Sequence, residues 1–178
     1  AHAWNHRLNL PQLDCRVGTV RALPRPGANY PADFARLVDY LRAVARAHPE
    51  TRVWNISLNA VEPEAEADLV SFLGDEIRSI ARDHGILPVV SIGNQRAGGT
   101  LQLCAPADCE AALTVGGRSH AGDGVPGGPC TVSLRGPGPD GMLKPDLSWL
   151  SNLRMIGGGQ HTGSSFATPL VSSLAAHT

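Results

Sequence analysis

The sequence is poor in aromatic side chains, in lysine and in long apolar runs. Aromatics make up 4 % of its 178 residues against 42 % hydrophobic overall, so aliphatic side chains must fill its core. A chain of this length can bury a sizeable core and is expected to form one domain. No apolar run approaches the roughly 20 residues that a membrane-spanning helix needs. Net charge is −1, without the basic excess that nucleic acid or an anionic membrane attracts, so neither is expected as a partner. Lys144 is the single lysine among 15 basic residues, which reads as genomic composition and not as chemistry. There is no signal-peptide pattern and no initiator Met, and a start of Ala-His-Ala-Trp reads as a processed product or an excised piece. The four cysteines are Cys15, Cys104, Cys109 and Cys130. Their even number permits disulfides, with Cys104 and Cys109 near enough to close a small loop, but it suits reduced thiols equally, and the compartment stays open.

What is present is an alternation of strand and helix patterns. Residues 15–23 alternate loosely and read as a strand, and 24–29 form a Pro/Gly break. Residues 31–48 read as an amphipathic helix with Pro31 in its first turn and Phe34, Leu37, Leu41 and Val44 as one stripe. Residues 52–59 read as the next strand. Residues 68–84 read as a second helix with Leu69, Phe72, Leu73, Ile77 and Ile80 inward, Gly85 as its C-cap and His84 near its negative end. Residues 86–92 are almost continuously apolar, the mark of a strand buried on both faces, and end in Gly93-Asn94. This order predicts an α/β fold with a mostly parallel sheet and crossover helices. Residues 111–117 and 131–135 read as short strands, and Lys144-Pro145-Asp146-Leu147 begins another short segment. Ligands gather beyond the carboxyl ends of strands in such sheets, where both Asn59 and Asn94 fall.

The last apolar segment, 166–176, has helical spacing at Phe166, Leu170 and Leu174. Pro169 is tolerated only near a helix start, so Ser165 is expected at or just before the first turn. A hydroxyl there faces unpaired N–H groups and the positive end of the helix dipole, a setting that favours an attacking oxygen and the oxyanion it creates. The simpler role for Ser164 or Ser165 is an N-cap.

Other assignments of the glycine-rich segment fit less well. Residues 158–165 come close to a phosphate-binding loop, but Ser164 stands where the lysine should follow Gly163, and no strand is expected before it. Gly163-x-Ser165-x-Ala167 resembles a nucleophile elbow, but that needs an apolar strand before the serine and a histidine well after it; only 13 residues follow Ser165. His2 and His6 are four apart, with no acidic partner and no third ligand, so they are not read as a metal site.

Several segments together resemble the subtilisin-like serine protease (subtilase) family. Gly163-Ser164-Ser165-Phe166-Ala167-Thr168-Pro169 resembles its nucleophile motif G-T-S-[MF]-A-[TA]-P. Ser91-Ile92-Gly93-Asn94 resembles its A-A-G-N. Val53-Trp54-Asn55-Ile56-Ser57-Leu58-Asn59 resembles the substrate-pairing strand V-I-N-[ML]-S-L-G. Ser133-x-Arg135-Gly136-Pro137 with Lys144-Pro145-Asp146-Leu147 resembles its S-x-[RY]-G and K-P-D. Ala105-Pro106-Ala107-Asp108 to Val115-Gly116-Gly117 resembles its P-A…V-x-x-V-G-A strand. The likeness runs over about 15–175 and leaves 1–12 outside. It implies a three-layer α/β/α, subtilisin-like fold, with this chain as a single partial catalytic domain. It implies Ser165 as nucleophile, Asn94 as oxyanion donor, and Ser57, Leu58, Asn59 and Gly93 as the substrate-binding residues. Asn59 stands where the family has glycine, which implies a less close approach of substrate.

The family's Asp and His motifs, D-[ST]-G and H-G-T-H, do not occur in this sequence. Asp14 falls on the strand that follows the His helix in the family, and the histidines here read as helix-end or loop residues. The resemblance therefore implies that the triad Asp and His lie upstream of this chain, that the fragment alone is inactive, and that its partners are a peptide substrate and the remainder of the catalytic domain. The alternative is a catalytically inactive pseudoprotease or peptide-binding module of the same fold. No cofactor is expected. Structural calcium is common in the family, but no acidic cluster here can be assigned to it. Most bacterial relatives are exported, which this sequence itself does not indicate.

Overall fold

The computed structural model describes residues 16–22, 33–60, 66, 68–95, 103–122, 125–154 and 159–178. In chain order the elements are α1 (Phe34–Ala47), β1 (Val53–Ile56), α2 (Phe72–His84), β2 (Leu87–Ser91), β3 (Leu113–His120), β4 (Pro126–Pro129), a single 3₁₀ turn (Pro139–Gly141), β5 (Leu147–Leu150), β6 (Asn152–Arg154), β7 (Gln160–Thr162) and α3 (Ser164–His177). The pairs β1–β2, β2–β3 and β3–β5 are parallel; β4 joins β3 antiparallel, and β6 and β7 form a separate two-stranded ribbon. The fold is α/β with a mixed, mostly parallel sheet.

Side-chain alternation along the strands sorts the core into two layers. Val90 and Ile92 point with Trp54 and Ile56 toward α1 and α2, meeting Leu37, Leu41, Leu73, Ile77 and Ile80. Val89 and Val115 point the other way, with Val53, Leu113, Leu147 and Trp149, against Ala167 and Val171 of α3. The sheet is therefore covered on both faces, which explains the almost continuous apolar run through β2: Val89, Val90 and Ile92 are each fully buried.

Local capping sets the helix bounds. Asp33 caps α1, accepting the Arg36 N–H at 3.1 Å, and Ser71 caps α2, accepting the Gly74 N–H at 3.0 Å. Gly85 closes α2 in the left-handed region at φ 62°. Because α2 starts at Phe72, Leu69 lies before it and is 60 % exposed; Phe72 is also mostly outside the core, and the inward set is Leu73, Ile77 and Ile80. In α1 the buried stripe is Leu37, Val38, Leu41 and Ala45; Phe34 packs at its margin, and Pro31 lies outside the described residues.

Two expected strands are absent or moved. Residues 16–22 form no strand: Val17 is 83 % exposed, and no described strand pairs with this segment. Residues 131–135 form a turn with one isolated bridge, Ser133 to Asn94, and the strand beside β3 is β4 instead. Conversely, Gln160–Thr162, read from the sequence as no strand, pairs with β6. No disulfide joins Cys104, Cys109 and Cys130 to one another, so the Cys104–Cys109 loop is not closed; Cys15 lies outside the described residues.

Candidate active site

The carboxyl ends of β1 and β2 and the amino end of α3 converge on one small region. β2 continues through Ile92 to Gly93, whose φ of 101° suits glycine and turns the chain. Asn94 follows, held from the far side by its bridge to Ser133, while the Leu134 N–H donates to the Gly93 C=O at 3.0 Å.

α3 begins against this turn. Gly163 is its N-cap residue and provides no side-chain cap, so neither Ser164 nor Ser165 is the capping residue. Ser164, fully buried, is the first helical residue, and its hydroxyl bonds to Gly93 instead of its own helix. Its Oγ accepts the Gly93 N–H at 3.2 Å and donates to the Gly93 C=O at 3.1 Å. The Ser164 N–H, one of the unpaired donors of the first turn, donates to Asn94 Oδ1 at 2.8 Å. That bond settles which end of the Asn94 amide is oxygen, because a backbone N–H can only meet an acceptor. The NH2 end then lies along Gly163. A Cβ at position 163 would stand 3.0 Å from Asn94 Nδ2, closer than normal packing allows, so glycine there admits the amide.

Ser165 sits one residue further into the first turn, half-buried. Among the described residues its hydroxyl has no hydrogen-bond partner, and none of the described histidines bonds to it. The nearby His161 ring lies 6.0 Å from that of Phe166, centroid to centroid. Pro169 falls in the second turn of α3, later than a first-turn proline would. It has no N–H to give the Ser165 C=O four residues back. Ser57 Oγ, at 3.5 Å, is the group nearest to filling that vacancy. α3 buries Ala167, Leu170 and Val171, while Phe166 is half-buried and Leu174 is 36 % exposed, so the inward face is turned from the Phe166–Leu170–Leu174 line.

The predicted substrate residues lie beside this helix start. Ser57 is exposed, and Leu58 and Asn59 are half-buried. Past Ile56 the backbone of 57–59 makes no hydrogen bond to other described residues, leaving it open to a further extended chain. Leu58 turns its side chain to the core, and Asn59 bonds to Ser91. The structure thus brings Ser165, Asn94, Gly93 and 57–59 together.

Three supporting groups escaped the sequence reading. Ser164 was visible only as a possible cap. Lys144 is almost wholly buried; its Nζ donates to the Ala112 C=O at 3.1 Å and to Asp146 Oδ2 at 2.8 Å, and that carboxylate also accepts the Thr114 N–H at 2.6 Å, tying the approach to β5 onto β3. Asp108, buried, accepts both the N–H and the hydroxyl of Ser71, at 2.6 and 2.8 Å, and so anchors the start of α2. The spacing in Lys144-Pro145-Asp146 was a legible signal for the second; nothing local announces the third. Among the described residues no three His, Cys, Asp or Glu side chains gather as a metal site, and no helix is long and apolar enough to cross a membrane.

Comparison with known proteins bears on this arrangement. The sequence matches the subtilase family (Peptidase_S8) over residues 14–178. None of the curated proteins matches it. Among solved structures it is similar to MycP1 with its N-terminal propeptide removed, at 19 % identity, TM-score 0.58, over 86 % of this chain and 61 % of that one. It is similar to the self-cleaved protease domain of PatA, at 29 % identity, TM-score 0.51, over 81 % and 49 %. It is also similar to the PatG macrocyclase in complex with peptide, at 21 % identity, TM-score 0.53, over 78 % and 39 %. The chain spans from about two fifths to three fifths of the length of these structures.

Proposed function

Because this chain belongs to the subtilase family, we propose that it is the nucleophile-bearing part of a serine endopeptidase that cleaves peptide bonds through an acyl-enzyme at Ser165. The observation that carries this is the Asn94 amide, fixed by the Ser164 N–H at 2.8 Å with its NH2 end along Gly163, next to a serine hydroxyl that no other described residue hydrogen-bonds. Ser165 Oγ attacks the carbonyl carbon and the peptide C=O becomes an oxyanion. Asn94 Nδ2–H and the first-turn N–H of Ser165 supply donors for that charge. The proton of Ser165 passes to a histidine base held by an aspartate, both carried outside this chain, and then to the departing amine; water hydrolyses the ester by the reverse sequence. Ser57, Leu58 and Asn59 offer backbone groups to the extended substrate.

Triad members act as a unit, so this chain alone is expected to be inactive. The experiment is fluorophosphonate labelling of the complete protein. Wild type takes the label and Ser165→Ala does not; equal labelling of the two overturns the assignment. The second reading, an inactive peptide-binding module of the same fold, is favoured by the absence of D-[ST]-G and H-G-T-H from this sequence. It predicts no label on Ser165 in a complete protein that still binds peptide.

A further inference from the structure

β1 and β2 run side by side only as far as Ile56 and Val90. Beyond that they part. The Ala60 N–H bonds to the Ala105 C=O at 2.9 Å, whereas the Ile92 N–H bonds to the Val115 C=O at 3.0 Å and Gly93 is held by Leu134. The gap between 57–59 and 91–93 opens at the nucleophile, because Ser57 reaches toward the Ser165 C=O and Gly93 holds Ser164. A side chain already spans it. Asn59 Nδ2 donates to the Ser91 C=O at 2.7 Å, and Asn59 Oδ1 accepts from Ser91 Oγ at 2.9 Å. Ser91 is fully buried, and the Asn59 amide stands 3.5 Å from where a Cβ on Gly93 would be. Pushing the amide aside would break two hydrogen bonds and leave a buried hydroxyl unpaired.

We infer that Asn59 restricts the residue whose carbonyl is attacked to glycine or alanine. This rests on the protease reading above. A carbonyl carbon at Ser165 Oγ, with its oxygen at the Asn94 amide, puts that residue's Cα beside Gly93. Its side chain then enters the nearest gap, the one Asn59 spans. A hydrogen atom or a methyl group is accommodated in front of the amide, and a phenyl ring or isobutyl group meets it.

The test uses the complete protein and peptide anilides that differ only in the residue before the cleaved bond: Gly, Ala, Leu or Phe. Wild type is expected to favour Ala over Phe by about tenfold or more in kcat/KM, the size of discrimination one or two misplaced methylenes give in a pocket. Asn59→Gly, and to a lesser degree Asn59→Ala, should lower that Ala-to-Phe ratio by about tenfold. Equal cleavage of Ala and Phe substrates by wild type overturns the inference. So does an unchanged ratio in a folded Asn59→Gly. If neither variant folds, the wild-type ratio alone decides. Fluorophosphonate labelling separates the two levels. A labelled Ser165 without size preference removes the Asn59 role and leaves the protease; no label removes both.

Discussion

Ser164 and Gly93 are bonded through both polar groups of the glycine backbone, the Ser164 hydroxyl accepting from its N–H at 3.2 Å and donating to its C=O at 3.1 Å. The two residues lie on different elements, the first turn of α3 and the turn after β2. The bond therefore registers the serine-bearing helix against the strand that ends in Asn94. Ser164 also gives its N–H to Asn94 Oδ1, so a single residue fixes both the backbone and the side chain opposite Ser165.

Removing that hydroxyl should loosen the register. Ser164→Ala leaves the buried Gly93 N–H without its partner, a cost of about 1–3 kcal/mol. Urea unfolding of the complete protein should show the loss, and fluorophosphonate labelling of Ser165 should slow as the Asn94 amide drifts. Ser164→Thr keeps the hydroxyl and should restore most of the rate. Wild-type stability and labelling in Ser164→Ala would mean the bond contributes nothing.

Asn94 acts on a charge that develops only in the transition state, so its loss should fall on kcat. Asn94→Leu is expected to lower kcat by about 10²–10³, a range known from oxyanion amides of subtilisin-type enzymes and adopted here, with KM little changed. Steady-state kinetics on a peptide anilide measures the split. A rise in KM at unchanged kcat would make Asn94 a substrate contact instead of an oxyanion donor.

The parts of the fold visible in the sequence were those with a local cause. The β2 run was legible because both faces of that strand are covered, and Gly85 because only a left-handed residue ends α2 there. The strand expected at 131–135 failed because Thr131–Ser133 carries β-branched residues but spends its backbone on a turn after Cys130 and a bridge to Asn94. Leu69 was placed in α2 by spacing alone, whereas the Ser71 cap, fixed by Asp108 from 37 residues away, starts the helix later. The site was half legible. Ser165 and Asn94 stand out as motif residues, but that Ser164 grips Gly93 and Asn59 grips Ser91 depends on strands and helix meeting in space, which no spacing encodes.

Lys144 is expected to be structural. Its side chain is 2 % exposed and carries the cation that pairs Asp146, itself 36 % exposed and bonded to the Thr114 N–H. Breaking a buried pair by removing one partner typically costs about 3–5 kcal/mol, and the partial exposure of Asp146 puts the expected loss near the lower end, about 3. Lys144→Met, which keeps the stem and drops the charge, should lower the urea midpoint accordingly. A change of under about 0.5 kcal/mol would show that Asp146 is adequately held by Thr114 and solvent.

The thiols should respond to their burial. Burial pushes the Cys109 thiol above its ordinary value near 9.0, with backbone hydrogen bonds at Ala111 and Ala112 opposing the rise. Cys104 is less deeply buried, packed at the margin of the same core. At about pH 8, where thiolate governs reactivity, iodoacetamide should modify Cys104 in the folded protein and reach Cys109 only in urea. The sign of the stability effect follows from the same shift. The folded state holds the neutral thiol and the unfolded state releases its proton more readily. The contribution is complete below the ordinary thiol value and is lost as pH climbs through the raised one. Unfolding free energy should therefore fall as pH rises above about 9, and Cys109→Ala should remove that part of the slope. Alkylation of Cys109 as fast as Cys104 in the folded protein would mean the segment around the Ala105–Pro106 turn opens readily, and the alkaline slope would then have another origin.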